Sequence, residues 1–80
     1  MFRYPICDAP DEEVFKKQCV ALENRISNLN KEDLLQDVDG TLIQTYYLAG
    51  KKLMVKNSHY VGSVYIESEF DIDPYFEKKD

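Results

Sequence analysis

From Tyr60 to Ile72 apolar and polar positions alternate without a break. The even positions read Tyr60, Gly62, Val64, Ile66, Ser68, Phe70 and Ile72, and the odd ones Val61, Ser63, Tyr65, Glu67, Glu69, Asp71 and Asp73. A strand sends successive side chains to opposite faces, so the pattern predicts one apolar face backed by a face that turns anionic.

Two further strands precede it, over Thr41–Leu48 and Lys51–Lys56. Ala49-Gly50 joins them as a two-residue hairpin, with glycine where a left-handed backbone is required. Asn57 to Tyr60 reads as the second turn. These loops set Leu48 opposite Lys51, Tyr46 opposite Leu53, Lys56 opposite Val61 and Leu53 opposite Val64. One face then collects Leu42, Tyr46, Leu48, Leu53, Val55, Val64 and Ile66, with Gln44 as its polar exception. The other carries Ile43, Thr45, Tyr47, Lys52, Met54, Lys56, Val61, Ser63 and Tyr65. That second face is too apolar for a purely solvated surface, and tyrosine with methionine is a binding composition. Either Tyr47 and Met54 meet a partner, or Phe2, Tyr4 and Ile6 cover them.

Upstream the period changes. Phe15, Cys19, Leu22, Ile26 and Leu29 recur at helical spacing, with Val14 widening the stripe. Asp8 reads as the cap, with Pro10 in the first turn and Asp11 three residues on. Asn30 to Asp33 repeats the capping pattern and predicts a short second helix from Lys31 to about Val38. Residues 1–7 show no clear period, and Pro5 argues against a helix there.

The expected fold is therefore α+β, in one domain over residues 1–80. An N-terminal amphipathic helix, with a short second one, packs on a three-stranded antiparallel meander. Residues 67–80 form an acidic, aromatic C-terminal extension. Glu67 falls opposite Gly50 in this register, so the chain beyond it has no strand neighbour. Phe70, Ile72, Tyr75 and Phe76 should then be pinned against the helix or against another molecule.

Charge sharpens the picture. The net charge is −5, with residues 1–40 at −4, 41–66 at +3 and 67–80 at −4. An acidic chain repels a phosphate backbone, so direct nucleic-acid binding is not expected. No apolar run approaches the ~18 residues of a membrane span, and no signal peptide is evident, so cytoplasmic residence is expected. Cys7 and Cys19 fit neither a disulfide framework nor a zinc pattern, and His59 is the only histidine. Cys19 lies on the apolar stripe as a small buried hydrophobe.

Asp37-Val38-Asp39-Gly40-Thr41-Leu42 resembles the first motif of the haloacid dehalogenase phosphatases. The resemblance covers six residues. It implies Asp37 as the nucleophile, Asp39 as general acid and base, and Mg²⁺ to neutralise the phosphate. That family sets the motif after a buried parallel strand and follows it with a long run of alternating strands and helices. Here 38 residues follow, and they read as antiparallel hairpins. The same segment is ordinary turn chemistry. An EF-hand starting at Asp37 fails too, because Leu42 and Leu48 stand where glycine and glutamate are required.

The expected function is non-catalytic protein binding, with no cofactor or metal. Glu67, Glu69, Asp71 and Asp73 meet a basic partner, and Tyr65, Phe70 and Tyr75 anchor it. Tyr47 and Met54 supply the sheet-face part of the contact. Inhibitors, immunity proteins and antitoxins have this character. The alternative is a structural homo-oligomer or complex subunit associating through the sheet, and the remote one is the phosphatase.

Overall fold

The computed structural model describes residues 1–76. In chain order the elements are β1 (Phe2–Cys7), α1 (Glu12–Arg25), β2 (Asn30–Lys31), β3 (Leu35–Gln36), β4 (Leu42–Leu48), β5 (Lys51–Ser58), β6 (Ser63–Ser68) and α2 (Asp73–Phe76). All six strands join one antiparallel sheet in the order β1-β6-β5-β4, with β2 and β3 both on the outer edge of β4. The expectation of an N-terminal helix on a three-stranded meander is wrong. A strand precedes the helix, and the sheet has six strands, not three.

Both errors have physical causes. Phe2, Tyr4 and Ile6 do alternate with Arg3 and Pro5, but proline usually speaks against a strand. Here β1 is an edge strand, where a missing N–H is tolerated. Its pairing runs from Phe2 opposite Ser68 to Pro5 opposite Tyr65, then shifts at a bulge before Cys7. The 31–38 helix is replaced by two short strands, because the open edge of β4 takes up this chain. Asn30 pairs with Tyr47 and Leu35 with Ile43. The register slips by one residue between them, and the buried Gln44 amide fills the bulge by donating to the Glu32 carbonyl at 2.6 Å. Tertiary hydrogen bonds override a local capping signal.

The long helix starts three residues later than expected. Asp11, not Asp8, is the cap, and its carboxylate accepts the Glu13 and Val14 N–H groups. The stripe behaves as its spacing requires. Phe15, Cys19, Leu22 and Ile26 are buried against Leu42, Tyr46, Leu53, Val55, Val64 and Ile66. Leu29 lies past the helix end and packs at the margin of this core.

The first hairpin has the expected register, with Tyr46 opposite Leu53 and Leu48 opposite Lys51. The second does not. Val55 faces Ile66, Leu53 faces Ser68, and Glu67 lies opposite Met54 rather than Gly50. Asn57 and Ser58 belong to β5, and the turn moves to His59–Gly62. Gly62 there adopts a φ of 81°. Asn57 is buried, and its carbonyl oxygen accepts the Asp11 N–H at 2.9 Å. The displacement is even, so every side chain keeps its expected face.

Beyond Ser68 the alternation no longer describes a strand. The buried Ser68 hydroxyl accepts the Phe70 N–H and donates to the Phe70 carbonyl, closing a tight turn. Ile72 then buries itself, and α2 follows. The extension is thus a folded-back segment over residues 69–76. Glu77 to Asp80 lie outside the described residues. No helix among the described residues is long and apolar enough to cross a membrane.

Candidate functional site

Among the described residues, only one face of the sheet carries a helix. On the other, side chains stand in cross-strand rows. Leu35, Ile43, Lys56, Tyr65 and Pro5 form one, and Thr45, Met54, Glu67 and Arg3 the next. Tyr47 and Lys52 form a third. The N-terminal segment does not cover this face. It widens the sheet instead, and contributes Arg3 and Pro5 to the face.

Tyr47 and Met54 are half-buried on this face, and Leu35 is exposed beside them. Tyr65 is only 7% exposed. The Arg3 guanidinium stacks over its ring at 4.5 Å, and the Lys56 ammonium lies 5.8 Å from the ring centroid. Lys56 Nζ also pairs with Glu67 Oε1 at 2.7 Å, which holds the Glu67 carboxyl below the usual range. Tyr65 and Glu67 thus sit inside a rigid cluster. Two hollows flank it. One of about 420 Å³ is lined by Lys31, Glu32, Asp33, Leu35, Thr45, Tyr47 and Lys52. Another of about 230 Å³ is lined by Arg3, Pro5, Val61, Ser63 and Tyr65.

The four acids expected as one ladder part company at Ser68. Glu67 points from the open face. Glu69 sits at its rim, where its N–H donates to the Lys52 carbonyl and its carboxylate accepts the Lys52 N–H. Asp71 turns towards β1 and accepts the Tyr4 hydroxyl at 2.8 Å and the Asp73 N–H at 3.0 Å. Asp73 is exposed at the start of α2. Phe70 meets Tyr75 edge to face at 6.3 Å, and Tyr75 remains 38% exposed. The structure therefore groups Tyr47, Met54, Tyr65, Glu67 and Glu69 on or beside one surface. Phe70, Asp71, Asp73 and Tyr75 form a separate corner. Arg3 and Leu35 were missed as members of the face, although the alternation of residues 2–6 could have placed Arg3.

On the helix side, a groove of about 490 Å³ runs between α1 and the β3–β4 edge, lined in part by Phe15, Cys19, Val20, Leu34 and Leu42. Glu23 and Lys31 also line it; the fully buried Tyr46 donates to Glu23 Oε2 at 2.6 Å, and Lys31 Nζ reaches the same oxygen at 3.2 Å. Burial pushes the Tyr46 hydroxyl far above the ordinary tyrosine range, and the bond from it lowers Glu23. Burial also pushes the Cys19 thiol up, which keeps it in its unreactive form at neutral pH. The network ties α1, β4 and β2 together.

The Asp37–Leu42 segment is an antiparallel hairpin turn. Asp37 Oδ1 accepts the Val38 N–H at 2.7 Å and Asp39 Oδ1 the Thr41 N–H at 2.9 Å. Gly40 takes a φ of 90°. The parallel strand that a phosphatase motif requires does not precede it: β3 runs antiparallel to β4. Hydrogen bonds from Thr41 lower the Asp39 carboxyl, which fits a turn-capping group.

The described residues thus define a two-layer domain, with helix and folded-back tail on one face of an antiparallel sheet and none of them layered on the other. No family model matches the chain, and neither the curated proteins nor the solved structures include a match.

Proposed function

We propose that the chain is a non-catalytic protein-binding module that docks a basic partner on its uncovered sheet face. The observation that carries this reading is the open face itself. Ile43, Tyr47 and Met54 lie there half-buried, with no covering layer among the described residues. Aromatic and methionine side chains in such a position supply binding energy.

Charge favours a basic occupant. Of the cations on the face, Lys56 is committed to Glu67 and Arg3 is stacked on Tyr65, while Lys52 lines the same hollow as Glu32 and Asp33. Glu32, Asp33 and Glu69 at the rim have no lysine or arginine within ion-pair distance among the described residues. Carboxylates of this kind, on a chain of net charge −5, steer a cationic protein to the face and repel phosphate. Inhibitors, immunity proteins and antitoxins of the cytoplasm work in this way. Self-association by strand pairing is opposed at both edges. Pro5 and a bulge interrupt β1, and a second bulge with Lys31, Glu32 and Asp33 interrupts the other edge.

Panning a random peptide display library on the folded chain tests the proposal. Enriched sequences should be rich in lysine and arginine, carry an aromatic or aliphatic residue, and lose binding to Tyr47→Ser/Met54→Ser. Peptides without basic residues, or peptides that bind this variant equally well, would overturn it.

A further inference from the structure

The helix layer is filled on one flank of α1 only. Towards β1 the folded-back tail packs beside it, with Ile72 buried and the Arg25 guanidinium over the Phe76 ring at 5.7 Å. Towards β4 no described segment takes that place, and the groove of about 490 Å³ is left there. Phe15, Cys19, Val20, Leu34 and Leu42 give it apolar walls, and its volume lies in the range of small-molecule sites.

One polar group in the groove is unsatisfied. Gln44 is 4% exposed, and its Nε2 donates to the Glu32 and Thr45 carbonyls at 2.6 and 3.4 Å. Both partners are acceptors, which fixes the orientation of the amide and turns Oε1 away from them. Oε1 takes no hydrogen bond from the described residues. It is not sealed in either, since every sealed side-chain nitrogen and oxygen among them has a partner. Gln44 lines this groove, so the oxygen opens into it. A buried acceptor without a donor is costly, and a ligand N–H or O–H removes that cost.

Charge sets the rest of the ligand's chemistry. The ionic groups along the groove are already matched, Glu12 with Lys16 at 3.1 Å and Glu23 with Lys31 at 3.2 Å. A charged ligand would lose hydration there and find no free counter-charge.

We infer that this groove is a binding site for a neutral, mainly apolar small molecule that carries an N–H or O–H donor. Its apolar body lies between the groove walls, and its donor meets Gln44 Oε1. The site is on the opposite side of the sheet from the docking face, and the two readings stand or fall separately.

Indole is a suitable probe, neutral and flat with one N–H, and benzofuran is its isostere without the donor. Each is titrated into isotope-labelled protein and followed by NMR. Indole should shift the Val20, Leu34 and Leu42 methyls and show nuclear Overhauser contacts to them. It should bind about tenfold more tightly than benzofuran, the scale of one hydrogen bond to a buried acceptor. The charged relatives indole-3-acetate and tryptamine should bind more weakly than indole. Gln44→Leu should abolish the preference for indole over benzofuran. Val20→Ser/Leu34→Ser, at two half-exposed positions, should weaken both probes and leave the fold intact. Equal affinity of the unaltered chain for indole and benzofuran would overturn the inference, whether or not Gln44→Leu folds. Tighter binding of either charged relative would do the same, as would indole contacts to Tyr47 and Met54 in place of the groove methyls.

Discussion

Single side chains decide where elements of this chain start and stop. Asp11 caps α1 through two hydrogen bonds, so Asp11→Ala should lower stability by about 1 kcal/mol in urea denaturation. Asp8→Ala should be nearly neutral in the same assay. Leu22 and Leu53 are wholly buried. Truncating either to alanine should cost about 2–5 kcal/mol, much of the stability of a domain this size. Carboxyls lowered in the folded state set an acid limit, Glu67 and Glu23 among them. Glu67 is lowered by Lys56, and Glu23 by Tyr46 and then Lys31, both from a usual value of 4.5. A carboxyl lowered in the folded state contributes stability that is full above its unfolded value and lost as pH falls through the folded one. The urea midpoint should therefore hold from neutrality to about pH 5 and drop below it. Glu67→Gln should make that drop shallower, and an unchanged acid limb would show that the Lys56 pair contributes nothing.

At the scale of elements, what was legible in the sequence was what depends on local period. The stripe of α1 and the facing of β4, β5 and β6 follow from spacings of 3.6 and 2, and both appear in the core. What depends on tertiary pairing was not legible. The 30–36 segment carries a helix cap and adjacent leucines, yet becomes strand because β4 offers an open edge. Asn57 and Ser58 look like a turn, but one is buried beneath the start of α1 and the other caps the turn that follows. The register is directly checkable. An Hα–Hα nuclear Overhauser contact should link Val55 with Ile66, whereas the turn read from sequence alone would set Val55 opposite Gly62. The candidate site was partly legible in the same way. Tyr47, Met54 and Tyr65 fall on one face by parity, whereas the acids were expected to continue along a strand that Ser68 ends.

For the whole molecule, the decisive feature is asymmetry. One face of the sheet holds α1 and the Ile72 segment, and among the described residues no segment lies over the other. The proposed docking face requires that this surface be free in solution. Paramagnetic relaxation by a soluble gadolinium chelate measures this with no partner in hand. The Met54 methyl and the Thr45 methyl should relax strongly, and the Leu53 and Val55 methyls, on the opposite side of the same strand, only weakly. Protection of Met54 and Thr45 equal to that of Leu53 would mean that a second copy or another segment already covers the face, and would contradict the account.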